Sequence, residues 1–261
     1  MFKFKLLSPF FATSLLISLT SSFFIINRAQ ADGPETAPKE LRETIAKIDA
    51  AANNHRLEQV LDFYAPEFTN ADGLDRKQIG QGLDNLWKQY PDLHYSTRLL
   101  SWNQDQNNLI TETQTTIEGA SHQKIRSFLL ISTIKSRQFL QNNHLVKQEI
   151  LAESTQLKSG EKPPEIDVNL PNSVKVGENY DFDVILKEPL SNQVSVGYAL
   201  ADKVNGVNFF KSANFDLEVL QSGGIFKRGK APETPEDQWL SAIIVQSNGM
   251  TIVTQRLRID K

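Results

Sequence analysis

The chain has 261 residues, of which 39% are hydrophobic, 23% are charged and none is cysteine. This composition is typical of a soluble globular protein of one or two domains, and it excludes disulfides, thiol catalysis and thiolate metal sites. The net charge of −3 becomes −6 without Lys3, Lys5 and Arg28 of the N-terminal segment. Such an acidic surface disfavours nucleic acid and anionic lipid as partners.

Residues 1–31 predict an exported protein. Lys3 and Lys5 precede the uncharged run LLSPFFATSLLISLTSSFFII, and Ala29-Gln30-Ala31 follows. This is the order of a secretory signal peptide with small residues at the cleavage site. The alternative is an uncleaved membrane anchor, because the apolar run approaches the length of a span. With cleavage, we expect no further membrane span and a location in the periplasm, a thylakoid lumen or the extracellular space.

Three amphipathic helices are predicted before Pro91. Apolar residues recur at helical spacing in three groups: Leu41, Ile45, Ile48 and Ala52; Leu57, Val60, Leu61 and Tyr64; Ile79, Leu83, Leu86, Trp87 and Tyr90. Pro66 should end the second helix, since proline breaks helices. Asp75, with Gln78 three residues later, predicts a capping box at the start of the third.

Four long strands should follow these helices. The segments are rich in β-branched residues and separated by polar turns: LHYSTRLLSW, LITETQTTIEG, QKIRSFLLISTIKSRQF and LVKQEILAESTQL. Such strands in hairpin order must curve to bury one face against the helices. We therefore expect a curved antiparallel sheet that encloses a cone-shaped hollow.

The run LEQVLDFYAPEFTNADG, followed by a helix and four long strands, resembles the SnoaL-like branch of the nuclear transport factor 2 (NTF2) superfamily. The resemblance covers residues 38–157 and rests on element order more than on any single residue. It implies a fold that hosts polyketide cyclases, ketosteroid isomerases, dehydratases and binding or scaffold domains, so fold alone does not decide function. It also implies a homodimer through the outer face of the sheet.

The second half of the chain is predicted to be all β. KSGEKPP, residues 158–164, has the composition of a stiff exposed linker. Short strand-like segments then alternate with turns through residues 165–261, and Ser247-Asn248-Gly249 is a hairpin signal. This pattern indicates an immunoglobulin-like β-sandwich. The fold class is thus α+β, an NTF2-like cone plus a C-terminal all-β sandwich. The combination is similar to uncharacterised secreted cyanobacterial proteins.

Metal and nucleophile motifs are not evident. The four histidines do not have ligand spacing and no HExxH occurs, so we expect neither a metal nor a cofactor: His55, His94, His122 and His144. There is no G-x-S-x-G elbow, and Ser222 in QSGG is typical of a turn.

Asp72 is the candidate catalytic residue. The resemblance places it, in FTNADG, where ketosteroid isomerases carry their general base, and a carboxyl in an apolar hollow gains a raised pKa. The tyrosine that donates to the oxyanion in those enzymes is matched by Ile48, so half of the machinery is missing. The alternative for Asp72 is a turn residue before Gly73.

Six residues are candidates for lining a ligand pocket in the cone: Tyr64, Trp87, Tyr95, Glu112, Arg126 and Gln148. Arg126 shares a strand face with apolar residues, and Glu112 on the neighbouring strand is a plausible partner. The pair lies either inside the cone, as a polar contact in a ligand site, or on the outer face. The outer face is favoured because exposed ion pairs are common. The aromatic residues are either pocket or core.

GGIFKRGK, residues 223–230, has P-loop spacing from Gly224. Ala231 stands where a P-loop has a hydroxyl, and Pro232 and Pro235 disrupt the helix that would bind phosphate. We therefore expect no nucleotide here. The segment is better interpreted as a glycine turn and a short edge strand whose basic residues protect the edge or meet an acidic partner: Lys227, Arg228 and Lys230.

These observations favour a secreted or periplasmic non-enzymatic binding protein. Its cone would hold a small apolar ligand or serve as a protein-interaction scaffold, and its β-domain would dock an envelope protein. The alternative is a SnoaL-like cyclase, isomerase or dehydratase with Asp72 as general base. A third hypothesis is a purely structural role in the cell envelope. A hollow apolar cone is required for the ligand hypothesis, whereas a cone filled with side chains favours the structural role.

Overall fold

A computed structural model describes residues 31–261 except 107, 123–126, 189–193 and 211–213, and only the backbone of residues 122 and 210. The predicted signal peptide therefore lies, but for Ala31, outside the described residues. Within the described residues, no helix has the length and apolar character needed to cross a membrane.

The first half of the structure, residues 31–160, places helices before long strands. Its elements are α1 (Lys39–Asn53), α2 (Leu57–Leu61), β1 (Tyr64–Asn70), α3 (Arg76–Gln89), β2 (His94–Asp105), β3 (Asn108–His122), β4 (Ser127–Gln141) and β5 (His144–Gly160). The capping box at Asp75 and Gln78 is present, with both reciprocal hydrogen bonds. The second helix is shorter than predicted, because Tyr64 begins β1 and Pro66 lies within that strand.

The second half, residues 161–261, is built from strands, apart from a 3-10 turn at Asn208–Phe210. The strands in its described residues are β6 (Ile166–Asn169), β7 (Ser173–Lys175), β8 (Asn179–Leu186), β9 (Val196–Lys203), β10 (Glu218–Val219), β11 (Gly224–Lys230), β12 (Gln238–Gln246) and β13 (Gly249–Asp260). The predicted hairpin is present, with Gln246 paired to Gly249 across Ser247 and Asn248. The α+β class is confirmed.

One ten-stranded sheet runs through both halves in the order β10-β9-β12-β13-β5-β4-β3-β2, with β1 and β7 as additional neighbours. β5 makes the connection. Near its start it pairs in parallel with β1, up to Asn70 opposite Gln148. Near its end, Ser154 to Gly160 pair with β13. The five residues 149–153 lie between these two pairings, and no strand of the described residues pairs with them on that side.

Two apolar cores lie on opposite faces of this sheet. Leu157 of β5 packs under the helices with Trp87 and Leu130, in what we call the helix-side core. The preceding residue, Gln156, pairs with Val253, which is buried in the sandwich core between β12, β13 and the small sheet β11-β8-β6. Because successive strand residues point to opposite faces, the helices cover one face and the small sheet covers the other.

The shared sheet changes the expected separation of the two halves. Two sheets do pack face to face in the second half, but one of them continues from the first half, so a separate β-sandwich is not confirmed. The predicted linker begins inside β5, where Lys158 to Gly160 pair with Thr251 to Gly249. Residues 31–261 form one compact unit.

Candidate functional site

The aromatic residues predicted to line a pocket lie in the helix-side core. Trp87 and Tyr95 are each 7% exposed, and the Trp87 Nε1–H donates to the Tyr95 hydroxyl at 2.9 Å. Burial raises the pKa of Tyr95 to about 12, although this hydrogen bond acts in the opposite direction. Burial also raises the pKa of Tyr64 to about 12, and its ring packs edge-on against Phe68 with centroids 4.8 Å apart. Trp87 thus contacts Tyr95, and Tyr64 contacts Phe68, so each of these aromatic residues has a partner within the protein.

Some polar groups on the inner face of the sheet are bonded to each other or to the helices, whereas the hydroxyls of Thr111 and Ser121 are buried there without a hydrogen-bond partner among the described residues. Thr113 and Ser136 share a hydrogen bond of 3.2 Å between neighbouring strands. Thr97 Oγ1 donates to the Asp49 carboxylate of α1 at 2.7 Å. Buried hydroxyls with such partners stabilise a unique packing, because an unpaired buried polar group is costly.

Gln148 helps to form the turn that carries Asp72. Its backbone carbonyl accepts from Ala71 N–H at 2.9 Å. Asn70 Oδ1 accepts from Asp72 N–H at 2.7 Å, and Gly73 adopts a left-handed φ of 87°. Asn70, rather than Asp72, thus supplies the side-chain acceptor of this turn, and the Asp72 carboxylate is available for another contact.

That contact is an ion pair with Arg256 of β13. Arg256 Nη1 donates to Asp72 Oδ2 at 2.9 Å, and Arg256 Nη2 donates to Asp72 Oδ1. The two side chains are 3% and 11% exposed. A bidentate, buried pair of this kind is among the stronger hydrogen-bonded contacts in proteins. Because both carboxylate oxygens accept from the guanidinium, the arrangement gives Asp72 a structural partner across the two halves.

Two further acidic residues complete the junction cluster, which consists of Asp72, Glu153, Asp237 and Arg256. Asp237 Oδ2 accepts from Arg256 Nε at 2.9 Å, and Glu153 Oε2 lies 4.0 Å from Arg256 Nη1. Burial alone would lower the pKa of Arg256, but the hydrogen bonds and charges of Asp72 and Asp237 outweigh it and raise the pKa. One guanidinium is therefore shared by three carboxyl groups from three segments.

Glu153 has the opposite balance within this cluster. Burial raises its pKa, although the hydrogen bond from Trp239 Nε1, 3.0 Å from Glu153 Oε2, and the charge of Arg256 act to lower it. The negative charge of Asp72 adds to the rise. A desolvated carboxyl beside other charges is typical of functional sites, but structural ion networks produce the same shift.

A cleft of about 470 Å³ opens beside the junction cluster, at the part of β5 that has no partner on that side. Its charged lining residues balance in sign: Arg137, Lys203, Arg256 and Arg258, with Asp72, Glu149, Glu236 and Asp237. Lys203 pairs with Glu236 at 2.7 Å, and Arg137 Nη1 lies 3.6 Å from Glu149. The charges in the cleft thus largely neutralise one another.

Glu112 lies in an ion-pair network with residues of β4. Its carboxylate accepts from Arg137 at 2.8 Å and lies 2.9 Å from Lys135 Nζ. Burial alone would raise the pKa of Glu112, but the hydrogen bonds and charges of these two cations lower it. The predicted partner, Arg126, lies outside the described residues.

The GGIFKRGK segment forms β11, which is an edge strand of the small sheet. In the described part of the chain, Lys230 is followed by buried Ala231 and then by β12 without an intervening helix. A P-loop requires a helix N-terminus at this position to bind phosphate. Among the described residues, no group of three His, Asp, Glu or Cys side chains is placed to hold a metal ion.

The residues that sequence reasoning missed are those of the junction: Arg256, Asp237, Glu153 and Trp239. Arg256 could have been identified from the sequence, because it lies in the alternating strand MTIVTQRLRI, where a buried arginine requires a partner. The identity of the partner carried no signal, because Asp72 is 184 residues away in sequence.

Comparisons with known proteins found one matching domain family and a set of similar solved structures. Residues 161–260 match a family described as Domain of unknown function (DUF8623). No curated protein matches the chain. Among solved structures, Bd1075 of Bdellovibrio bacteriovorus is similar over 42% of this chain, with 17% identity and a TM-score of 0.30. The matched region spans 38% of the length of Bd1075.

Two other solved structures are similar to a comparable share of this chain. A Nostoc punctiforme protein with a cystatin-like fold is 12% identical, with 42% of this chain and 86% of its own covered and a TM-score of 0.33. A Catenulispora acidiphila protein with a ketosteroid isomerase-like fold is 12% identical, with 41% and 83% covered and a TM-score of 0.31. The similarity concerns less than half of this chain.

Proposed function

We propose that this chain is an exported, non-enzymatic interaction scaffold, in which an NTF2-like first half and an immunoglobulin-like second half present one continuous sheet to a protein partner. The observation that carries the proposal is the pairing of the aromatic pocket candidates within the helix-side core. Trp87 and Tyr95 are both buried, and the Trp87 Nε1–H donates to the Tyr95 hydroxyl, so neither polar group is left for a ligand. Ligand pockets are concave and largely preformed, and side chains that pack together leave no such volume.

The junction cluster supports the same function. Both oxygens of Asp72 already accept hydrogen bonds from Arg256, so a substrate would have to compete with this ion pair if Asp72 acted as a general base. As a structural residue, it connects the turn after β1 to β13. The enzyme hypothesis is therefore less well supported than the scaffold hypothesis.

A binding experiment with indole tests whether the helix-side core excludes an apolar ligand. In the wild-type protein, indole should leave the thermal unfolding midpoint unchanged. In Trp87→Ala, the deleted side chain leaves an indole-sized cavity, so indole should bind and raise the midpoint in proportion to its saturation. Leu257→Ala is the matched control, because it creates a smaller cavity in the sandwich core.

Native mass spectrometry of the natively purified protein supplies the second measurement. We expect the mass of the polypeptide alone or of its oligomer. A co-purified apolar small molecule, or stoichiometric stabilisation of the wild type by indole, would overturn the scaffold proposal and restore the ligand hypothesis. A dimer in the same spectra would support a second copy of this chain as one partner, as the NTF2-like resemblance implies.

A further inference from the structure

The edge strand β11 offers a row of main-chain groups for pairing. All seven of its residues, Gly224 to Lys230, pair with β8. Among the described residues, no strand pairs with its other side. An edge of this length is a template for an added strand, in which main-chain hydrogen bonds supply affinity and side chains supply selectivity.

The side chains of β11 give this edge a basic and apolar character. Ile225 is buried in the sandwich core, whereas Phe226 on the outer face is 54% exposed. Three cations follow within four residues: Lys227, Arg228 and Lys230.

These cations are only weakly compensated within the chain. The side chains of Arg228 and Lys230 are 76% and 61% exposed. Arg228 Nε lies 4.0 Å from Asp181, and the pair between Lys230 and Glu233 is open to solvent. Exposed pairs of this kind contribute little, so Arg228 and Lys230 can exchange them for carboxylates of an added strand.

The same charges disfavour a second copy at this edge. In a fully overlapping antiparallel pair of β11 strands, Lys227 would stand opposite Lys227 of the second copy, and like charges directly opposite each other are destabilising. Without the N-terminal segment the chain is acidic, with a net charge of −6 that includes these three cations. The edge therefore selects a partner strand of opposite charge.

We propose that the free edge of β11 binds an extended acidic segment of a partner protein, which adds a fourth strand to the small sheet. This inference rests on the scaffold function proposed above and names its partner class. In an antiparallel arrangement, acidic residues would stand opposite Arg228 and Lys227, and an apolar residue would stand opposite Phe226. Hydrogen bonds to the β11 backbone would hold the segment irrespective of the rest of its sequence.

A peptide titration tests the proposal on the mature protein. The probe is acetyl-Thr-Thr-Glu-Glu-Val-Thr-Thr-amide, and the control peptide has lysine in place of both glutamates. We expect saturable binding of the acidic peptide, at least about tenfold weaker binding of the basic one, and weaker acidic binding at high salt. Amide hydrogen exchange should slow at Gly224 to Lys230 when the acidic peptide is bound.

The double variant Lys227→Glu with Arg228→Glu should lose the acidic peptide and favour the basic one. The matched control is Lys39→Glu with Lys88→Glu, which makes the same change of net charge on exposed helix residues and should bind like the wild type. Equal binding of both peptides, a lack of binding, protection outside β11, or a dimer protected at β11 would overturn the assignment. If one of these outcomes occurs and indole still leaves the unfolding midpoint of the wild type unchanged, the scaffold proposal is not affected. A co-purified apolar ligand would instead contradict the scaffold proposal itself.

Discussion

The helix-side core and the sandwich core bury apolar residues on opposite faces of one sheet, but they differ in chemistry. The helix-side core includes hydrogen-bonded pairs such as Trp87 with Tyr95 and Thr113 with Ser136. The sandwich core is composed chiefly of aliphatic residues such as Val184, Ile244 and Val253. Hydrogen bonds fix which groups meet, whereas aliphatic packing depends on shape. The difference teaches that polar and aromatic residues on a buried sheet face can specify packing through hydrogen bonds to one another.

The same comparison can be made between two consecutive residues of β13, Arg256 and Leu257. Arg256 lies in the junction cluster, and Leu257 is fully buried in the sandwich core. They therefore test ionic and apolar burial on one strand.

The largest expected effect is that of Arg256→Ala, which leaves the carboxylates of Asp72 and Asp237 buried without their cation. Loss of one partner from a buried pair should lower the free energy of unfolding by about 3–5 kcal/mol. Urea unfolding measures the change. Arg256→Met combined with Asp72→Asn and Asp237→Asn should recover much of the loss, because the unpaired charges are removed as well. A loss below about 1 kcal/mol for Arg256→Ala would show that the cluster is not a structural connection.

Leu257→Ala should cost about 2–5 kcal/mol through the cavity that it leaves in the sandwich core. The same urea experiment measures it, at low and high salt. Since the lost contacts are apolar, the destabilisation should be the same at both salt concentrations, in contrast to exposed charge substitutions. A destabilisation that depends markedly on salt would show that the charges of the junction cluster also affect this face of β13.

The smallest effects are opposite pH dependences for Glu153→Gln and Glu112→Gln. The raised pKa of Glu153 means that the folded state binds its proton more tightly than the unfolded state. The contribution of Glu153 to stability is therefore present below pH 4.5 and is lost as pH rises through its folded pKa. The lowered pKa of Glu112 gives a contribution that is present above pH 4.5 and is lost as pH falls through its folded pKa.

The measurement is the difference in unfolding free energy between wild type and each variant from pH 3 to pH 8. We expect this difference to fall with rising pH for Glu153→Gln and to rise for Glu112→Gln. Slopes of the same sign would contradict the contrast between the junction and the ion-pair network of Glu112.

Elements with local signals were predictable from the sequence. Helical periodicity identified α1 and α3, and the capping box at Asp75 fixed where α3 begins. The Ser247-Asn248-Gly249 turn identified the last hairpin. In each case the residues that determine the structure are within a few positions of one another.

The shared strand was not predictable, because its pairing joins distant segments. Gly160 suggested a linker, but its φ is 106° and a Cβ there would collide with the carbonyl oxygen of Asn248. This glycine thus permits a close approach of the neighbouring strands β5 and β13. The contact between Asp72 and Arg256 had no signal for the same reason, since neither residue marks the other in the sequence.

β5 has a consequence for how this protein can be divided. A cut after residue 157 would remove the part of β5 that pairs with Gly249 to Thr251. A second half that began at residue 161 would lack β5, which is one of the strands that pair with β13. Neither piece would carry its whole sheet. Gene fusions or deletions that exchange one half at this boundary would therefore separate two neighbouring strands of one sheet.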